Sequence, residues 1–149
     1  KKTFGFFIDD PTNNDDKFLR SRIRKLLINL DKEGLKFNKF YLTLKNLSKS
    51  DQVIEFYVDK NILENSKYFE KDKKIILNQS FFNNPEEIIL RSIMQVIKRI
   101  SWKKNYPRGK KVNSLIDSIK FSNKNVKLTL SGCIIEKIQD SVIIYPEKR

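Results

Sequence analysis

The sequence predicts a mainly α domain of about five helices that ends in a small antiparallel β-hairpin or meander. Apolar residues recur at three- and four-residue intervals through most of the chain, with capping residues and turns between the periodic stretches. Beyond residue 125 the period changes to short β-branched runs separated by turn residues. With 149 residues, 39% of them hydrophobic and 33% charged, the chain is long enough to bury one core and short for two.

The elements follow in order. Residues 4–8 are strand-like, and residues 10–13, Asp-Pro-Thr-Asn, hydrogen-bond their own backbone around a fixed proline φ, which makes a compact turn. Asn14, Asp15 and Asp16 suit the N-terminus of a first helix, whose apolar stripe is Leu19, Ile23, Leu26, Leu27 and Leu30. Arg20 and Arg24 then share one flank, one helical turn apart, while Arg22 turns away. Residues 31–34 break the pattern. A second helix carries Leu35, Phe40, Leu44 and Leu47 and ends near Ser48; Ser50 caps a third over residues 51–64, with Val53, Ile54, Tyr57, Val58, Ile62 and Leu63 on its apolar side. Helical spacing assigns Tyr41, Phe56, Tyr57, Tyr68 and Phe69 to the core rather than to a stacking platform.

Residues 71–74 form a charged turn before Ile75, Ile76 and Leu77, a short strand or buried extended run. Asn84 as N-cap, Pro85 at the first helical position and Glu86 and Glu87 in the first turn start the central helix, which runs to Ile100. A last helix spans residues 112–119. Residues 127–130, 133–138 and 141–145 are the strands of the terminal meander, with turns at Gly132 and at Gln139 and Asp140.

Charge is the strongest compositional signal. Thirty-one basic residues against 18 acidic ones give a net charge of +13, which calls for a polyanionic partner. Alanine is absent while lysine, asparagine and isoleucine abound, so biased codon usage supplies part of the lysine; glutamate would rise equally, and the excess persists. Nucleic acid is the first candidate partner. A membrane surface is disfavoured, because no helix combines a bulky aromatic stripe with a lysine-only polar face. With no histidine and one cysteine, Cys133, the chain lacks the ligands of a zinc site, the base of a Ser-His or Cys-His mechanism and any internal disulfide. No run approaches a membrane span and no secretory leader is present, which predicts a soluble cytoplasmic protein. The densest basic stretch is residues 98–111, KRISWKKNYPRGKK, which reads equally as a phosphate-tracking surface with Trp102 and Tyr106 for base stacking or as a solvated helix-to-helix connection whose Trp102 and Tyr106 pack inward.

Three separated segments carry a resemblance. Asp10-Pro11-Thr12-Asn13 followed by Asp16, Phe18 and Arg20-Ser21-Arg22-Ile23-Arg24, then Leu90-Arg91 with Tyr106-Pro107-Arg108, then Thr129-Leu130-Ser131-Gly132-Cys133, resemble the D-P-[ST]-N turn with its R-N-R-I-R helix, the L-R helix with Y-P-x-R, and the T-L-x-G-C of tRNA(Ile)-lysidine synthetases. Ser21 stands where that family has Asn. The family's S-G-G-x-D-S pyrophosphate loop is not in this sequence, so the resemblance implies a C-terminal portion: residues 1–14 as the tail of a catalytic domain or its linker turn, and residues 15–149 as the helical tRNA-binding domain. It implies that the whole protein uses ATP and Mg²⁺ to ligate free lysine to the wobble cytidine of an isoleucine tRNA with a CAU anticodon. This portion would bind no cofactor or metal, would be non-catalytic by itself, and is a possible homodimer. Arg20 and Arg24 would lie at the edge of the active site, presented by a turn that Asp10 and Asn13 shape. Arg91, Lys98, Arg99, Lys103, Lys104, Arg108, Lys110 and Lys111 would contact tRNA backbone. Two other classes remain: a stand-alone basic RNA-binding module, and a helical protein-interaction domain using the aromatic helices of residues 35–69.

Overall fold

A computed structural model describes residues 17–102, 105–122 and 125–147. The expected strand at 4–8, the turn at 10–13 and the acidic cap at 14–16 lie outside the described residues, as does the boundary at residue 14. The chain divides into two compact units, residues 1–49 and 50–149.

The first unit holds helix α1 (Leu19–Lys32) and the start of helix α2 (Phe37–Asn65). Gly34, with φ +88°, ends α1 in a left-handed turn that glycine adopts without strain. Around it Leu35 N–H donates to Leu30 O and Gly34 N–H to Asp31 O, so two carbonyls at the helix end are satisfied. The expected α1 stripe has the right spacing and, among the described residues, is exposed: Leu19, Ile23, Leu26, Leu27 and Leu30 are 42–64% exposed. The two expected helices at 35–48 and 51–64 are one helix of 29 residues. Ser48, Lys49 and Ser50 include neither glycine nor proline, so nothing interrupts the backbone ladder and Ser50 caps nothing.

The second unit corrects the fold class. Five strands, β1 (Ser66–Phe69), β2 (Lys74–Leu77), β3 (Val126–Leu130), β4 (Cys133–Ile138) and β5 (Ser141–Pro146), form one antiparallel sheet in the order β1-β2-β5-β4-β3. With four α-helices among the described residues, this is an α+β fold, and the terminal meander is three strands of a larger sheet. The expected short strand at 75–77 is β2; its hairpin partner β1 was hidden because four residues are too few to show a period. What makes the hairpin sheet is pairing with β5 far along the chain: Ile75 faces Ile144 and Leu77 faces Val142.

Helices α3 (Glu86–Ile100) and α4 (Gly109–Phe121) cover one face of that sheet. α3 is the central helix the sequence predicts, burying Ile88, Ile89, Ser92, Ile93, Val96, Ile97 and Ile100. They pack with Val112, Leu115, Ile116 and Ile119 of α4 against Ile75, Leu77, Cys133, Ile135, Val142 and Ile144. Pro85, not Asn84, holds the N-cap position of α3. Asn84 Nδ2 instead donates to Asn61 Oδ1 at 2.9 Å. Asn61, on α2, is the buried polar hub of the unit: its amide donates to Phe81 O at 3.3 Å and Ser92 Oγ at 3.2 Å, and its oxygen also accepts from Asn65 at 2.9 Å. Among the described residues no buried side-chain polar atom lacks a partner.

The aromatic assignments also need correction. Tyr41, Phe56, Tyr57 and Tyr68 are 39–65% exposed and Phe69 is half-buried, so none belongs to the core. Phe81, fully buried at the turn of residues 79–83, is the aromatic that does.

Candidate nucleic-acid interface

The basic surface of the second unit is built where α3 ends and α4 begins. Lys98 and Arg99 occupy the last turn of α3, at the negative end of its dipole. Each lies over a tyrosine ring: Lys98 Nζ is 3.9 Å from the centroid of Tyr106, and the Arg99 guanidinium is 4.8 Å from that of Tyr68. Both cations are exposed and both rings are partly exposed, so each pair presents a flat face and a charge together. Tyr106 fits the first of the two sequence readings; Tyr68 was assigned to the core, and its position became legible only with the β1–β2 hairpin.

Past the loop, Arg108 is the N-cap of α4, and Lys110 and Lys111 stand in its first turn with no acidic residue beside them. Three cations at the positive end of a helix dipole repel it and each other, an arrangement an anion relieves. Lys110 and Lys111 also line a groove of about 460 Å³ between α4 and the edge strand β3, floored by Leu115, Leu128 and Leu130 and edged by Ser114, Ser118 and Thr129. Ser114 Oγ donates to Lys110 O at 3.1 Å and Ser118 Oγ to Ser114 O at 2.8 Å, which leaves their lone pairs facing outward partners. Cations at the groove's head and hydroxyls along it match a sugar-phosphate strand.

Arg91 has a different occupation. Its Nε donates to Glu87 at 2.7 Å and its Nη1 to Asp51 at 2.6 Å and Glu55 at 3.1 Å. These carboxylates raise its pKa further above the ordinary arginine value, the Glu87 hydrogen bond most. A guanidinium held by three carboxylates is surrounded by net negative charge, so it positions α3 against α2 and offers phosphate nothing.

The remaining expected site residues separate. Arg20 and Arg24 are exposed on α1 in the first unit, where Arg24 borders a cleft of about 420 Å³ lined by Leu27, Leu35, Phe37 and Phe40. Asp10, Asn13, Lys103 and Lys104 lie outside the described residues.

The T-L-x-G-C segment meets the C-terminal end of α3. Ser131 and Gly132 are the two-residue turn between β3 and β4, with φ of +53° and +80°. Ser101 Oγ donates to Ser131 O, and the indole of Trp102 lies against Gly132, where a Cβ would sit 2.8 Å from its Nε1. The half-exposed Trp102 thus pins the end of α3 to the hairpin. Cys133 is fully buried beside them, its thiol 3.7 Å from Ile97 O and pushed up to about 11 by burial, the reverse of what a nucleophile needs. Among the described residues no His, Cys, Asp and Glu cluster could hold a metal ion, and no helix is long and apolar enough to cross a membrane. Compared with protein-family models and with curated proteins, the chain matches none.

Proposed function

We propose that the second unit docks RNA by its backbone, through Lys98, Arg99, Arg108, Lys110 and Lys111. The observation that carries this reading is the run of cations from the last turn of α3 to the uncompensated first turn of α4, opening onto a hydroxyl-edged groove. The net charge of +13 gives it reach beyond contact distance. In its fuller form the proposal is that this is the tRNA-holding portion of a tRNA(Ile)-lysidine synthetase. ATP, Mg²⁺ and lysine would then be handled by another domain, with Arg20 and Arg24 at its edge. That form rests on the three resembling segments.

The test is titration of the chain with an isoleucine tRNA at several salt concentrations, beside an unrelated tRNA and a duplex DNA. Binding that prefers tRNA and falls steeply with salt is expected. Lys110→Glu with Lys111→Glu should flatten the salt slope by about 0.7 to 0.9 per lost phosphate contact. Unchanged binding in that variant overturns the assignment.

A second reading, a protein-docking or assembly role for α1 and the start of α2, is favoured by their exposed apolar residues, among them Leu19, Leu26, Phe37, Tyr41 and Leu47. A stable homo-oligomer that ignores RNA would establish it.

A further inference from the structure

Beside the basic run lies a cleft of about 450 Å³ formed by the end of α2, strand β1 and α3. Its size is within the range of small-ligand sites, roughly 300–1,000 Å³. One wall is the Tyr68 ring with the Arg99 guanidinium against it, 4.8 Å from the centroid, and the lip is Leu63, 83% exposed. Beside Arg99, the lining offers acceptors. Ser66 Oγ gives its proton to Ile62 O at 2.6 Å, which leaves it lone pairs. Gln95 Nε2 donates to Glu55 Oε2 at 3.1 Å, and Glu55 is in turn held by Arg91, so the amide is oriented with its carbonyl oxygen left to a ligand. Asp59 adds a carboxylate.

We infer that this cleft takes one unpaired guanine of a bound RNA strand, stacked on Tyr68 and Arg99, with its Watson–Crick edge toward Asp59, Gln95 and Ser66. Three acceptors in the lining select an edge rich in N–H donors, and guanine presents N1–H and the N2 amino group side by side for a carboxylate to accept together. The acceptors repel a phosphate entering the cleft, the Arg99 charge repels an organic cation, and the flat aromatic-guanidinium wall fits a planar ring. Arg99 also continues into the basic run through Lys98, so a strand held there has its next base at the cleft mouth. The inference rests on the RNA-docking reading and adds base preference to it.

The test uses the whole chain and fluorescently labelled hexanucleotides, U₆ and the same strand with a single central G, A, C or inosine. The G-containing strand should bind about ten-fold more tightly than U₆, with inosine between them because it keeps N1–H and lacks the amino group. Asp59→Asn, at an exposed position that leaves the fold intact, should erase the preference for G while keeping the salt slope. Equal binding of all five strands with a steep salt slope overturns the guanine site and leaves backbone docking standing. A G preference that survives Asp59→Asn overturns the assignment to this cleft, and no binding of any strand overturns both readings.

Discussion

The two halves of α2 have the same pattern and opposite fates. In the first unit Phe37, Phe40, Leu44 and Leu47 follow one another at three- and four-residue steps and are 47–64% exposed. In the second, Ile54, Val58 and Asn61 continue the same steps, and Val58 and Asn61 are buried. Spacing therefore tells which residues share a face, and nothing in it tells whether another element covers that face. Burial in the second half comes from elsewhere in the chain: Ser92 of α3 and the turn carrying Phe81 close on Asn61.

The sharpest way to break this comparison is to make one substitution in both regions. Phe81→Ala removes a fully buried ring and should cost about 3 to 5 kcal/mol in urea unfolding followed by circular dichroism. Phe37→Ala, at a residue 64% exposed, should stay within about 0.5 kcal/mol. Comparable losses would mean that the first unit has a covered core after all.

Next in size is Asn61→Ala, which removes the donor to the buried Ser92 hydroxyl and the acceptor shared by the Asn65 and Asn84 amides; a loss of about 1 to 3 kcal/mol is expected by the same unfolding assay. A neutral result would show that the second half of α2 is held by apolar contact alone. Gly132→Ala places a side chain at φ +80° and drives its Cβ against Trp102, so about 1 to 2 kcal/mol should go, together with a changed fluorescence from this single tryptophan. An unaltered emission spectrum would contradict the contact.

The smallest effect is on the sheet face opposite α3 and α4. Lys127 Nζ lies 2.5 Å from Glu136, and Tyr145 Oη donates to the same carboxylate at 2.8 Å. Both bonds, the lysine's most, hold the Glu136 carboxyl below its ordinary value of 4.5. A depressed carboxylate stabilises above its unfolded pKa, so its contribution should be complete above about pH 5 and vanish as the pH falls through the lower folded value. Glu136→Gln should therefore lose that contribution above about pH 5, match the parent below the folded value, and flatten the stability profile between. A profile identical to that of the parent would remove Glu136 from the account.

Much was legible where a signal is local. α1, α3, α4 and the three terminal strands appear close to where period and turn residues put them, and the basic stretch after α3 does supply exposed cations in its described part. The rest depended on distant pairing. The short run at 75–77 is strand β2 as one of its two readings had it, but β1 forms only by pairing with β2, itself held by β5, and only then does Tyr68 come under Arg99. Arg91 shows the same limit from the other side: a basic residue on a polar helix face reads as a phosphate contact until Asp51 and Glu55, some forty residues earlier, are found beside it. Counting charges along a chain finds a surface's sign and misses which charges are already neutralised.

The buried thiol gives the molecule a built-in clock. Cys133 is the only sulfhydryl in the chain, and with its pKa pushed up to about 11 only about one in a thousand is thiolate at pH 8, behind a wall of packed isoleucines. A thiol reagent added to the native protein can therefore react no faster than β4 comes away from α3, and at reagent concentrations where the labelling rate levels off it reads the opening frequency of the sheet-helix core without any engineered probe.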